Sequence, residues 1–218
     1  MRAIHRNTVA TPPCLVAPAA GRSYDNLDGL EKQAVRATLL DLQNGRCAYC
    51  ERRTGDGRDD GHIEHFRCQS QHPHLSIAWS NLFWSCNDEK TCGKHKDKCD
   101  RQTGPRRTFN SNDLIDPSVE DPKDFILFVA DGTVRPRDGI DAVNERRAQE
   151  TLRVFQLADS AFLRKSREDA VKPYMNAIAS LLDAAPHLVT RYVQSEIGRI
   201  DSAPFSATIR QYLEGLLP

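Results

Sequence analysis

The chain has 218 residues, of which 28 % are charged and 39 % hydrophobic, and its 30 basic side chains balance 30 acidic ones. That mixture excludes a disordered chain, and the length suits one substantial domain or a small module with a helical partner domain. Zero net charge leaves no global basic field, so any nucleic-acid site must come from local clustering. No apolar stretch approaches membrane-spanning length and residues 1–20 lack the apolar run of a secretion signal, so a cytoplasmic chain without membrane contact is expected.

Residues 1–24 carry Pro12, Pro13, Pro18 and Gly21 with little periodicity. They read as an extended arm that docks on a partner, stays mobile or packs on its own domain. From position 27 to 42, Leu30, Val35, Leu39 and Leu42 recur at helical intervals around Ala34 and Ala37, which predicts a short helix. Residues 44–108 are rich in Cys, His, Gly and charge and poor in periodic stretches, so they read as a module organised by metal. Phe125 to Val129, followed by Asp131-Gly132-Thr133-Val134, predicts a β-hairpin, because Asp-Gly supplies the positive φ of a tight turn. From about Asn144 the pattern is helical. Leu152, Phe155 and Phe162, then Val171, Tyr174, Ile178 and Leu181, form apolar stripes with a break near Asp159-Ser160 and a stop before Pro186. Two shorter helices are expected near 188–200 and 204–216. The expected organisation is an arm and helix (1–43), the metal-organised module (44–108), and a hairpin with a mainly helical domain (109–218), in the α+β class.

Of seven cysteines, Cys47, Cys50, Cys86, Cys92 and Cys99 crowd together near histidines, which in a reducing compartment points to metal ligation. Cys47-Ala48-Tyr49-Cys50 is a C-x2-C knuckle, whose spacing lets both sulfurs reach one tetrahedral ion. Cys86 and Cys92 would complete a structural Zn2+ site, with Cys99 competing for the fourth place; buried free thiols or a redox pair are the other readings. Between the cysteine pairs lies Gly61-His62-Ile63-Glu64-His65-Phe66. Glu64 offers a hard oxygen to a divalent cation, and His65, titrating near neutrality, can accept a proton from water. In an extended segment His62 and Glu64 share one face and Ile63 and His65 the other, so Glu64 and His65 would need a local bend to converge. On its own the pair reads equally as a surface or capping feature.

Context alters that reading. Trp79-Ser80-Asn81-Leu82-Phe83, Cys86, Cys92 and His95 follow, giving C-x2-C, Glu-His, Asn, Cys, Cys and His in order. The series resembles the HNH family of ββα-metal nucleases. The closer likeness is to the HNH nuclease subunit of the Septu anti-phage system and its retron-linked relatives. It is carried by Arg46-Cys47-Ala48-Tyr49-Cys50-Glu51, Ile63-Glu64-His65-Phe66, Trp79 to Cys86, and Cys92-Gly93-Lys94-His95-Lys96-Asp97. Asp113-Leu114-Ile115-Asp116-Pro117 and Asp121-Pro122 extend it, so that it covers about residues 25–165.

The resemblance implies a zinc-stabilised ββα-metal module and a metal-dependent endonuclease that uses Mg2+ or Mn2+ and leaves 5′-phosphate and 3′-hydroxyl ends. DNA is the family's default substrate and RNA the alternative. Glu64 would hold the cation, His65 would activate water, and Asn81 would fix the loop bearing His65, a turn or helix cap being its plainer role. His95 and Asn87 compete for the remaining cation ligand. His95 is preferred because it falls in the first turn of the helix expected after Cys92. Two departures stand out: the spacing Cys86-x5-Cys92 is stretched, and Gly93 follows where many relatives have His or Asn. Cys68 takes the place of a usual Pro and, with Cys14, reads as a small apolar residue. The resemblance also implies a partner ABC-type ATPase, docked through the arm or the C-terminal helices. From Lys90 to Arg107 seven basic residues face two acidic ones, so Lys94, Lys96, Lys98 and Arg101 would flank a phosphate backbone. The alternative is a zinc-organised nucleic-acid or protein binding module that has lost cleavage, which Gly93 and the stretched spacing favour.

Overall fold

Helix α1 (Gly29–Leu42) begins where Asp28 and Glu31 each accept a hydrogen bond from the other's backbone amide, and it buries Val35, Leu39 and Leu42. Leu30, in its first turn, is 77 % exposed and lies outside the buried stripe. These features belong to a computed structural model that describes every residue except 17–20, 58, 102–107 and 218. Strands β1 (Gly61–His65) and β2 (Leu82–Cys86) pair antiparallel, with Gly61 opposite Cys86 and Glu64 opposite Phe83. Every residue of β2 is buried, because α1 and helix α2 (Cys92–Arg101) both pack on it. Among the described residues β1 pairs with β2 alone, and its other edge carries no strand.

A second two-stranded ribbon joins β3 (Ile126–Phe128) to β4 (Val134–Pro136). The expected tight two-residue turn is a longer loop, in which Gly132 donates to the Val129 carbonyl and Val129 to that of Thr133. Gly132 alone takes the left-handed conformation, at φ +80°, and a Cβ there would sit 1.9 Å from the Arg164 carbonyl oxygen. Glycine thus serves both the turn and the close seating of the ribbon on the next long helix.

Four helices complete the mixed α+β fold: α3 (Ala142–Val154), α4 (Ala161–Ala184), α5 (Val189–Ile197) and α6 (Ser206–Glu214). Asp141 caps α3 and Ser160 caps α4. Phe162, expected in the apolar stripe, is 58 % exposed with the Arg52 guanidinium over its ring, while Leu163 next to it points inward. Val171 and Ile178 of the expected stripe are buried, and only at its start does Leu163 take the place of Phe162. A large core runs from Met1 through the β1–β2 ribbon to Phe155 and Leu163, and a smaller one joins Val171, Ile178, Val193, Ile200, Ile209 and Leu213. No described helix is long and apolar enough to cross a membrane.

The N-terminal arm packs on its own chain. Met1, Ile4 and Leu15 are buried in the large core. Ile4 donates to the Pro117 carbonyl, and Arg6 donates to that of Leu82 while lying over the rings of Phe83 and Trp79. The terminal ammonium pairs with Glu51 at 2.6 Å, and the other oxygen of Glu51 accepts from the Ser206 hydroxyl and the Ala207 amide. Glu51 follows Cys50 directly, so this buried carboxylate ties the cysteine knuckle to α6. Burial alone would raise its pKa, but the ammonium and these donors outweigh it and bring the carboxyl down to about 2.

Candidate metal centre and catalytic site

Cys47 and Cys50 lie between α1 and β1, Cys86 ends β2, and Cys92 opens α2. Their four sulfurs lie within 4.8 Å of one another, with Cys50 Sγ 4.0 Å from Cys86 Sγ. Zinc bonds of about 2.3 Å in a tetrahedron set sulfurs about 3.8 Å apart, so the spacing fits a four-cysteine site. All four residues are buried. Burial and then the neighbouring sulfurs push the Cys50 and Cys92 thiols well upward. At Cys47 hydrogen bonds from the other three cysteines overcome burial and draw the thiol down. So dry a group of sulfurs is stable as thiolates only around a cation, and the four cysteines are placed to hold a structural metal such as zinc. Cys99 stands apart from this group, with its sulfur 3.7 Å from His95 Nδ1.

The second group of donors gathers around Glu64, which is 2 % exposed. Glu64 Oε1 lies 2.8 Å from the ammonium of Lys96, itself buried. Oε2 faces His62 Nε2 at 3.3 Å. Lys96 also donates to the His65 carbonyl at 2.8 Å, and its ammonium is 3.5 Å from Asp97. Burial would raise the Glu64 carboxyl and lower the Lys96 ammonium, yet the pair's mutual attraction prevails and shifts Glu64 down and Lys96 up. Asp97 shifts upward, through burial and the charge of Glu64. His62, Glu64 and Asp97 form a second set of donors whose ligand atoms lie within 4.8 Å of one another.

His65 is half-buried at the end of β1. Its Nε2 lies 2.9 Å from the Ser76 carbonyl oxygen, and Tyr24 meets the ring edge-on at 5.1 Å. The Gln69 amide nitrogen sits 2.7 Å from Nε2 and 3.3 Å from Nδ1. A ring nitrogen so close to a carbonyl carries the proton, which leaves the lone pair of the neutral ring on Nδ1. Burial lowers the pKa of His65 and keeps the ring neutral to lower pH. Asn81 clamps the loop that follows: its Oδ1 accepts from the Arg67 amide, and its Nδ2 donates to the carbonyls of Arg67 and Leu75. No bend is needed inside β1. A cavity of about 340 Å3 is lined by His62, Ile63, Glu64 and His65 together with Gln69 and Asp97. The open edge of a two-stranded ribbon lets groups from both faces reach one space.

The remaining sequence candidates fall elsewhere. His95 is not brought to Glu64; its Nδ1 lies 2.8 Å from the Val154 carbonyl oxygen, toward α3. The reason is helical phase: Gly93, Lys96 and Asp97 lie within a narrow arc of α2, while His95 is about 200° round from Gly93. Asn87 meets His62, with Oδ1 2.9 Å from Nδ1. Lys96, expected in a solvent-facing basic row, is buried under the site. Lys98 bonds to Glu89. The side chain of Arg101 and residues Arg106 and Arg107 lie outside the described residues. Sequence reasoning missed the roles of His62, Gln69, Lys96 and Asp97. Alternation along β1 already paired His62 with Glu64, and helical phase from Gly93 would have favoured Asp97 over His95.

No protein-family model matches the chain. Over 95 residues, 44 % of its length, the chain is 30 % identical to the Septu protein PtuB of Bacillus thuringiensis. The match spans 33 % of that relative, so the chain covers about one third of its length. The likeness supports a relation between this chain and Septu proteins.

Proposed function

We propose that this chain is a metal-dependent HNH-type endonuclease, the effector of a Septu-like anti-phage defence system that works with an ABC-type ATPase. The observation that carries the reading is that Glu64 and His65 line one cavity in a chain whose four clustered cysteines are fit to hold zinc. Phosphodiester hydrolysis needs a nucleophile, a sink for the charge on pentacovalent phosphorus and help for the departing 3′ oxygen. A Mg2+ or Mn2+ ion at Glu64 supplies the last two when bound. His65 Nδ1 takes the proton from an in-line water, while the Ser76 carbonyl fixes the tautomer by holding Nε2–H. Asn81 keeps the loop beyond His65 in place through backbone hydrogen bonds on both sides. Lys96 balances the buried charge of Glu64 and anchors the His65 carbonyl. The four cysteines hold zinc as scaffold. DNA is the proposed substrate ahead of RNA, with 5′-phosphate and 3′-hydroxyl products. His95 is released from the cation site by its direction toward α3.

The test is incubation of the purified chain, alone and with its co-purified ATPase, with supercoiled plasmid and with single-stranded RNA. The expected result is plasmid nicking in Mg2+ or Mn2+ that EDTA abolishes. No metal-dependent cleavage of either substrate under any of these conditions would overturn the reading.

A further inference from the structure

We infer that His62, Glu64 and Asp97 hold the catalytic cation, in a space that Gly93 leaves open. The purpose assigned to the ion rests on the nuclease reading; the geometry of the site stands independently of it. Three facts converge. First, one donor atom from each of these residues lies within 4.8 Å of the other two. Two carboxylates and one imidazole suit a divalent ion such as Mn2+ or Mg2+, with positions left for solvent and a phosphate oxygen. Second, the neutral form of His62 turns an acceptor toward an acceptor. The Asn87 amide nitrogen is 3.3 Å from the Gly61 carbonyl and donates to it, so Asn87 Oδ1 is the atom facing His62 Nδ1 at 2.9 Å. Nδ1 must therefore carry the proton, and the lone pair of neutral His62 on Nε2 faces Glu64 Oε2 at 3.3 Å. A cation shared by the two atoms makes that contact favourable, as would a second proton on the ring that pairs His62 with Glu64. With Oε1 facing Lys96, Oε2 is the oxygen left for the ion.

Third, the residue opposite this contact has no side chain. A Cβ built on Gly93 would stand 2.6 Å from Glu64 Oε2 and 2.9 Å from His62 Nε2, in the volume between them. The departure that had argued for a lost nuclease thus clears room for an ion, and the helix supplies its ligand one turn later, at Asp97. His62, Glu64 and Asp97 all line the cavity that His65 also lines, which gives a substrate phosphate access to the ion.

The test is Mn2+ titration of the zinc-loaded full chain followed by electron paramagnetic resonance, with zinc content and circular dichroism measured for each variant. His62→Ala and Asp97→Asn are expected to weaken Mn2+ binding at least tenfold while zinc stays bound, and His95→Ala to bind as wild type. Wild-type Mn2+ affinity in both His62→Ala and Asp97→Asn, or loss of binding in His95→Ala alone, would overturn the inference. Should His62→Ala fail to fold, Asp97→Asn decides, since its site is at the cavity rim and the substitution keeps its shape. Nicking assays on the same preparations separate the two ideas. Weakened binding in the variants of a wild type that cleaves nothing upholds the site and refutes the nuclease. Unchanged binding in the variants of a wild type that cleaves refutes the site alone.

Discussion

The two donor groups lie on the same β1–β2–α2 frame and are built for opposite ends. The four cysteines are buried and drawn from three places in the chain. The group around Glu64 mixes oxygen and nitrogen donors, opens on a cavity and already contains a lysine that compensates part of its charge. A metal at the first site closes the fold, whereas one at the second keeps coordination positions for solvent and substrate. The difference lies in the ligand chemistry: thiolates form a closed tetrahedron, and carboxylates with an imidazole leave room.

Breaking the first group should have the largest effect. Cys47→Ser is expected to lose zinc and unfold the module, because structural zinc contributes folding free energy directly. The check is circular dichroism with metal analysis, and a folded, zinc-loaded variant would refute the zinc assignment. Glu51→Gln should come next, at about 3 kcal/mol of lost stability in urea unfolding, since it removes one member of a buried ion pair. The same carboxylate sets an acid dependence. Its folded pKa of about 2 lies below the ordinary 4.5, so its contribution is complete above pH 4.5 and disappears as the pH falls toward 2. Wild type should lose stability across that interval and Glu51→Gln should lose about 3 kcal/mol less; equal losses would remove Glu51 from the account. The smallest structural change sharpens the contrast: Gly93→Ala should keep zinc and fold but weaken Mn2+ several-fold, because the methyl group enters the space between Glu64 and His62. Unchanged Mn2+ affinity in that variant would show that the space is not used.

These comparisons also explain what the sequence could convey. The C-x2-C spacing of Cys47 and Cys50 is a local constraint, and so it was legible. Whether Cys92 or Cys99 closes the set depends on where α2 starts and which way it turns, and the chain opens that helix with Cys92 itself at the unusual φ of 56°. Glu64 and His65 gained meaning from their order between the cysteines and ahead of Asn81. Proximity to Cys92 along the chain favours His95, whereas the phase of the helix turns His95 toward Val154 and brings Asp97 near Glu64. Phe162 shows the same limit: a stripe of apolar residues gives the period of α4, but Leu163, not Phe162, meets the core. The arm could be read only as three alternatives, because what covers Ile4 and Leu15 is a surface assembled from distant segments.

The central claim is that Glu64 and His65 serve one hydrolytic centre, with His65 as the base. Its most direct test is the single-turnover rate of plasmid nicking by wild type and by His65→Ala, at saturating Mn2+ and with zinc content matched. His65→Ala should nick about 10²- to 10⁴-fold more slowly with Mn2+ affinity and fold intact. Equal nicking by the two proteins would contradict it.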